Sequence, residues 1–301
     1  MATVLISGGT GIVGTHLSKK LKQKGYDVFI LGRKEDLQAA IPVYKWNVEK
    51  KELPDELIAK ADHIIHLAGT AIADEKWTDE RKKLIIDSRV RSAELLFNKV
   101  KENDTKLKSF TTASGIGYYG VKTTEQIFKE TDPPEKDFIG HTCDLWEQAA
   151  DKFKEAGIRT IKLRTGVVLT KNGGALAKML SPVQLGIGSE LGSGQQYMPW
   201  IHIEDICSIY IKTIEDEKME GAYNAVAPEH CTNKEFMKTL AKVLDKPFWL
   251  PAVPGAILKL LLGEMSEIVL KGSRVSAEKI IKAEYKFLFP HLEDCFHDLL
   301  K

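Results

Sequence analysis

Three glycines near the N-terminus, Gly8, Gly11 and Gly14, stand three residues apart. Glycines in this pattern let a turn present backbone N–H groups to phosphate. Gly8 permits a tight turn, Gly11 admits a phosphate where a Cβ would intrude, and Gly14 lets a following helix lie close to a strand. Thr10, Ile12 and Val13 complete the turn and the start of that helix. Further on, Arg33 and Lys34 follow Gly32. A guanidinium can bind a 2′-phosphate as a planar fork and stack on adenine. An NAD site usually places Asp or Glu at that point. Glu35 and Asp36 come slightly later. A solvated charge cluster is the plainer reading of this tip, but the two cations favour NADP(H).

The elements around these residues suit that chemistry. Thr3–Ser7 is a short apolar run, the pattern of a buried parallel strand. His16–Lys24 has helical spacing and is stopped by Gly25, and Asp27–Leu31 reads as a second strand. Further strands are predicted at Val43–Trp46, Asp62–Leu67, Leu107–Ala113 and Ile158–Leu163, with helices at Leu53–Lys60, Thr78–Asn103 and Phe138–Ala156. In the long helix Leu84, Ile85, Val90, Leu95, Leu96 and Val100 form the apolar face, while Lys83 and Arg89 are placed on a solvated one. His63 and His66 fall on opposite faces of their strand, His63 at the surface or an edge and His66 packed.

This alternation predicts an α/β fold, a Rossmann-type doubly wound parallel sheet with a smaller, mostly helical C-terminal domain on the substrate side. Residues 1–170 form the dinucleotide-binding domain, with 197–226 returning to it; residues 171–196 and 227–301 form the smaller one. Beyond residue 170 the expected elements are a helix over Gly173–Leu185, a strand at Met198–Ile203, a helix capped by Asp205, a strand at Ala222–Val226, a helix over Lys234–Leu244 and an extended piece at Phe248–Leu250.

A net charge of +1 gives no reason to expect nucleic acid or an anionic membrane as partner. The apolar stretch Ala252–Gly263 is too short and too broken to span a bilayer. The four cysteines are scattered without a C-x-x-C pair, which suits reduced thiols in a cytoplasm and argues against a zinc site. No metal constellation is expected. The partner is a small-molecule substrate; oligomeric state is not legible.

Gly8-x-x-Gly11-x-x-Gly14, His66-Leu67-Ala68-Gly69, Ser114 ahead of Tyr119-Gly120, Leu163-Arg164-Thr165-Gly166 and Trp200-Ile-His-Ile-Glu-Asp205 together resemble the extended short-chain dehydrogenase/reductases. Trp77-Thr78, Ser88-Arg89, Gly117-Tyr-Tyr-Gly120, Trp146-Glu147, Gly173-Gly-Ala-Leu176, Leu191-Gly-Ser-Gly194, Asn233-x-Glu235-Phe236 and Leu262-Gly-Glu264 are similar to the epimerase-like branch with a C-terminal domain of unknown function. The resemblance covers nearly the whole chain. It implies an NADP-binding fold, with Leu67, Ala68, Gly69 and Arg164 joining the cofactor contacts.

The resemblance also implies a Ser or Thr after the fifth strand and a Tyr and Lys four apart on the next helix. Anchoring on Glu147 puts Ile139 at the Tyr position and Cys143 at the Lys position. Ile139 has no proton to give and Cys143 supplies no fixed charge. Tyr118-x-x-x-Lys122 has the right spacing but lies where a loop is expected, so the two do not align. Ser114 survives, to bond a substrate oxygen or the nicotinamide amide, or only local backbone. Tyr118 and Tyr119 are either stand-in acids or aromatic packing over the pocket. Arg164 orients the loop after its strand or meets an anionic substrate, Glu147 is a surface or a buried hydrogen-bonding residue, and His202 is a candidate base whose strand position before a helix cap favours a packed, hydrogen-bonded histidine.

Two functions remain open. One is an NADP(H)-dependent, epimerase-like oxidoreductase acting on a small carbonyl or hydroxyl compound. The other is a non-catalytic NADP(H)-binding sensor or regulatory protein. If Arg33 reads the 2′-phosphate, calorimetry will show NADP(H) binding tighter than NAD(H), with the gap shrinking in Arg33→Ala. Equal affinities in the parent protein would remove the basis for that reading.

Overall fold

The computed structural model describes all residues from Met1 to Lys301. The first half alternates β1 (Thr3–Ser7), α1 (Ile12–Gln23), β2 (Asp27–Gly32), β3 (Val43–Lys45), α2 (Asp55–Lys60), β4 (His63–His66), α3 (Asp79–Glu102) and β5 (Ser109–Gly115). A 3₁₀ turn over Ile116–Tyr119 leads to the two-residue β6 (Ile127–Phe128), then α4 (Phe138–Glu155), β7 (Arg159–Thr165) and β8 (Val167–Leu169). Next come α5 (Gly174–Gln184), β9 (Trp200–His202), α6 (Ile203–Glu215) and β10 (Gly221–Ala225). The rest is α7 (Asn233–Val243), α8 (Gly255–Leu262), α9 (Glu267–Leu270), β11 (Arg274–Val275), α10 (Glu278–Lys282) and α11 (Leu292–Leu300).

Seven strands pair in parallel in the order β10-β7-β5-β4-β1-β2-β3. The order reverses between β1 and β4, which makes their C-terminal ends the ligand crevice of a doubly wound sheet. One face packs α2, α3 and α4 through Leu57, Leu96, Val100, Phe110 and Phe153. The other packs α1 and α6 through Leu17, Leu21, Ile206 and Ile209. Helices on both faces leave the central strands no solvated side, which is why they read as apolar runs.

Local signals set many of the element ends. The Thr78 hydroxyl accepts from Arg81 N at 3.1 Å, with Asp79 and Glu80 in the first turn of α3 and Lys99 and Lys101 in its last. Thr232 and Glu235 form a reciprocal capping box on α7.

The structure corrects several side-chain placements. His63 is not at a surface or edge: it is buried, its Nδ1 2.8 Å from Ser109 Oγ, because β4 is an interior strand. Leu84 is exposed, whereas Arg89 is buried, since the register of α3 puts Arg89 in line with Ile85, Ala93 and Leu96. Asp205 does not cap α6; His202 does, its Nδ1 accepting from Glu204 N at 3.1 Å. Asp205 instead holds the C-terminal segment, accepting from Tyr285 Oη, Leu288 N and Phe289 N at 2.7–3.0 Å. Two small parallel sheets form, β6 with β11 and β8 with β9; β9 falls within the strand expected at Met198–Ile203, whereas β6, β8 and β11, two or three residues long, carry no periodic signal.

Burial depresses both inner imidazoles, His63 to about 4 against the pull of Asp62, and His66 to about 4. They are neutral when folded and protonate readily when unfolded. Between pH 6.5 and 4 the unfolded chain therefore binds more protons, so stability falls as the pH falls. Urea denaturation should show about 1.4 kcal/mol lost per pH unit for each imidazole across that window. His63→Gln should flatten this acid slope; an unchanged slope would show that His63 does not contribute.

Candidate functional site

The first component is the turn between β1 and α1. Gly8 sits at φ +72°, and a Cβ there would lie 2.8 Å from the backbone of Ala68. A Cβ on Gly14 would come within 2.5 Å of Gly8 O and Gly9 Cα, so only glycine lets α1 meet the turn. Gly11 is the N-cap of α1 and contributes no side chain; no acidic residue stands in the first turn. The N–H groups of Ile12, Val13 and Gly14 have no helical acceptor. Together with the helix dipole they leave positive potential at the sheet's crevice, fit for a phosphate. Ile12 is exposed there, and the glycine pair Gly173–Gly174 ahead of α5 passes against its side chain.

Arg33 and Lys34 follow directly on β2, are exposed and form no ion pair. On the other side of the turn, Leu67, Ala68 and Gly69 leave β4, with Leu67 N donating to Ser7 O at 2.9 Å. His66 below them is held between Ser7 Oγ at 2.6 Å and Ser92 Oγ at 3.1 Å. This histidine is a buried brace between β1, β4 and α3.

The second component lies at the C-terminal ends of β5 and β7. Arg164 and Glu147 are each only 3% exposed and form a bidentate pair, Nε to Oε1 at 2.8 Å and Nη2 to Oε2 at 2.9 Å. Ser114 donates to the same carboxylate at 2.8 Å. Arg164 Nη1 donates to Tyr119 Oη at 2.9 Å, and Tyr119 donates onward to Asn224 Oδ1 at 2.7 Å. The guanidinium also lies 3.4 Å from the Tyr118 ring centre. Burial opposes the charge on Arg164, but Glu147 and Tyr119 hold its pKa above the ordinary value. Burial pushes Tyr119 up to about 12 against the influence of Arg164, and raises Tyr118 in the same way.

These contacts sort the candidates. Arg164 directs four hydrogen bonds into protein, towards Glu147, Tyr119 and the Glu130 carbonyl. These bonds make it a buried strut between β7, α4 and the turn after β5. Tyr119 is 1% exposed with its hydroxyl spoken for on both sides, so it is packing and not a free acid. The proton of Tyr118 is donated to no protein group. Lys122 points away to an ion pair with Glu135. Ile139 and Cys143 are buried on α4, with the Cys143 thiol raised to about 12 by burial and by Glu147. His202 is packed 3.9 Å from the Phe289 ring. The sequence reading missed the Glu147–Arg164 pair and Asn224; Glu147 alone signalled, as a carboxylate among the apolar positions of an amphipathic helix.

A parallel sheet reversing over a glycine turn, with a polar network at the next strand ends, defines a Rossmann-type dinucleotide-binding protein of the extended short-chain dehydrogenase/reductase class. The chain belongs to the NAD dependent epimerase/dehydratase family, whose signature matches residues 4–225. A domain of unknown function, DUF1731, matches residues 253–299. The epimerase family protein YfhF of Bacillus subtilis is 32% identical over 99% of this chain and 97% of its own. The crystal structure of human epimerase family protein SDR39U1 (isoform 2) with NADPH superposes with a TM-score of 0.87 at 30% identity, over 99% of this chain and 98% of that one. The nucleoside-diphosphate sugar epimerase of Corynebacterium glutamicum gives 0.81 at 28% identity, over 99% of this chain and 58% of that one. No helix is long and apolar enough to cross a membrane.

Breaking the buried pair leaves an uncompensated charge. Glu147→Leu or Arg164→Met alone should each cost about 3–5 kcal/mol in urea denaturation. The double variant should lose much less than the sum. Additive losses would mean that the two charges do not depend on each other.

Proposed function

We propose that this protein is an NADP(H)-dependent oxidoreductase of the epimerase type, acting on a small carbonyl or hydroxyl compound. The observation that carries the cofactor choice is Arg33 with Lys34, two exposed cations at the end of β2 with no carboxylate bound to either. The NADPH in the human relative's crystal structure supports the same choice. The cradle fits the group: an uncapped helix start, and glycines at positions 8 and 14 where a Cβ has no room.

In this reading Arg33 and Lys34 take the 2′-phosphate, and the N–H groups around Gly11, Ile12 and Val13 take the pyrophosphate. Thr10, Leu67, Ala68 and Gly69 border the path between the two halves. When bound, the nicotinamide supplies or accepts a hydride. Tyr118 keeps its proton at neutral pH and donates it as a hydrogen bond to the substrate oxygen. The Ser114 hydroxyl donates its hydrogen bond to Glu147 and is left to accept, which suits a substrate hydroxyl. The substrate side is formed by residues 171–196 and 227–301, against the dinucleotide domain of residues 1–170 with 197–226. Four buried free cysteines support a reducing compartment, the cytoplasm.

A second reading, a non-catalytic NADP(H) sensor, is favoured by Ile139 and Cys143, which put neither an acid nor a fixed charge at those two positions of α4.

The readings separate in one assay. With a broad panel of small carbonyl compounds, bound NADPH should be oxidised. Tyr118→Phe should slow the best substrate by about 10²-fold or more while NADPH affinity holds. Binding without oxidation of NADPH by any compound would favour the sensor. Oxidation unchanged in Tyr118→Phe would remove that residue from the chemistry.

A further inference from the structure

Arg89 is a buried cation with almost nothing to hold it. It lies on α3, 6% exposed, and its one hydrogen bond runs from Nη1 to the Ile85 carbonyl at 2.9 Å. Its Nε is buried without a partner. No salt bridge reaches it; its guanidinium rests 4.9 Å from the Trp146 ring centre. Burial lowers its pKa to about 10, and the neighbouring cation Arg81 adds to that effect. A guanidinium in this condition is poorly compensated, because desolvation is repaid only by acceptors with good geometry. Proteins seldom leave such a group orphaned unless a ligand completes it.

Its position says which ligand. A Cβ on Gly69 would lie 3.0 Å from Arg89 Cζ and 3.3 Å from Nε. The guanidinium therefore sits directly under the backbone that leaves β4, and the bare glycine there gives it room. On its other side are Trp146 and Cys143 of α4. The exposed cations at the end of β2 take the adenosine half of a dinucleotide, and the start of α1 takes its pyrophosphate. The remaining half must then cross the ends of β4 and β5, at the reversal of strand order. Arg89 faces that half.

We propose, on the NADP(H) reading above, that Arg89 is a cofactor-positioning residue whose guanidinium donates to the hydroxyls of the nicotinamide-side ribose. It supplies from α3 a fixed cation where α4 presents Cys143. A forked donor fits a vicinal diol, with two oxygens accepting from one planar group. The same contact fixes the ring that follows the ribose, and so the direction from which hydride moves.

The test is a ladder of three probes measured by calorimetry on the parent protein, Arg89→Met and Arg89→Lys. Adenosine 2′,5′-bisphosphate lacks the second ribose, 2′-phospho-ADP-ribose has it without the nicotinamide, and NADPH has both. In Arg89→Met the first should bind as in the parent, while the second and third weaken about tenfold or more. Arg89→Lys should recover part of that loss. The ligand-free Arg89→Met protein should melt no lower than the parent, since a poorly compensated charge has been removed, while the extra stabilisation by NADPH shrinks. Unchanged affinity for all three probes would overturn the proposal. So would an equal loss for all three, which marks a general defect of the fold, or a loss confined to NADPH, which marks the nicotinamide amide. If the parent binds none of the probes, the NADP(H) reading itself fails.

Discussion

A carboxylate and a guanidinium share the interior at the ends of β5 and β7, and much of the site is arranged around them. Glu147 comes from α4 and Arg164 from β7, and Ser114 on β5 joins the same carboxylate. Two buried charges at this distance are tolerable only while both are present and every remaining donor is met. Meeting those donors fixes Tyr119, Asn224 and the Glu130 carbonyl. It also holds the Tyr118 ring against the guanidinium. The pair therefore sets which hydroxyls at the strand ends are spent and which is free.

The same network ties the C-terminal elements to the sheet. Asn224 on β10 donates to the Ser276 carbonyl at 3.1 Å, and β11 pairs with β6. Asp205 performs the equivalent task on the other side, accepting from three donors around Tyr285 and Phe289. An ion pair of Lys82 with Glu264 at 2.6 Å joins the start of α3 to the turn after α8. The C-terminal residues are thus tied to earlier elements at three points, with donors and acceptors coming from opposite halves of the chain.

Much of the fold was legible in order. The glycine turn, the alternation of strand and helix, and the bounds of α3, α4 and α7 follow from local rules of turn, periodicity and capping, whereas α1 starts at Ile12, four residues before the apolar spacing that marks it. The cofactor side of the candidate site was legible for the same reason: its residues lie in short stretches at the ends of β1, β2 and β4. The other side was not. Glu147 and Arg164 are 17 residues apart, and Tyr119 and Asn224 are 105 apart. His63, Arg89 and Asp205 were each assigned to solvent or to a cap because a lone polar residue usually belongs there. Arg89 did carry a signal, since it stands in the helical stripe of Ile85, Ala93 and Leu96.

By itself, then, the sequence determined the order of elements, the turn that only glycine can make, the cations at the tip of β2, and an isoleucine and a cysteine at positions 139 and 143, where the resemblance implies a Tyr and a Lys. These are properties of residue type and near-neighbour spacing, and no packing can change them. Only the tertiary structure decided which polar groups are buried, which of them meet, and which are left without a partner. Burial and pairing depend on which faces of distant elements come together, and a desolvated charge takes its meaning from neighbours that the chain brings in from far away.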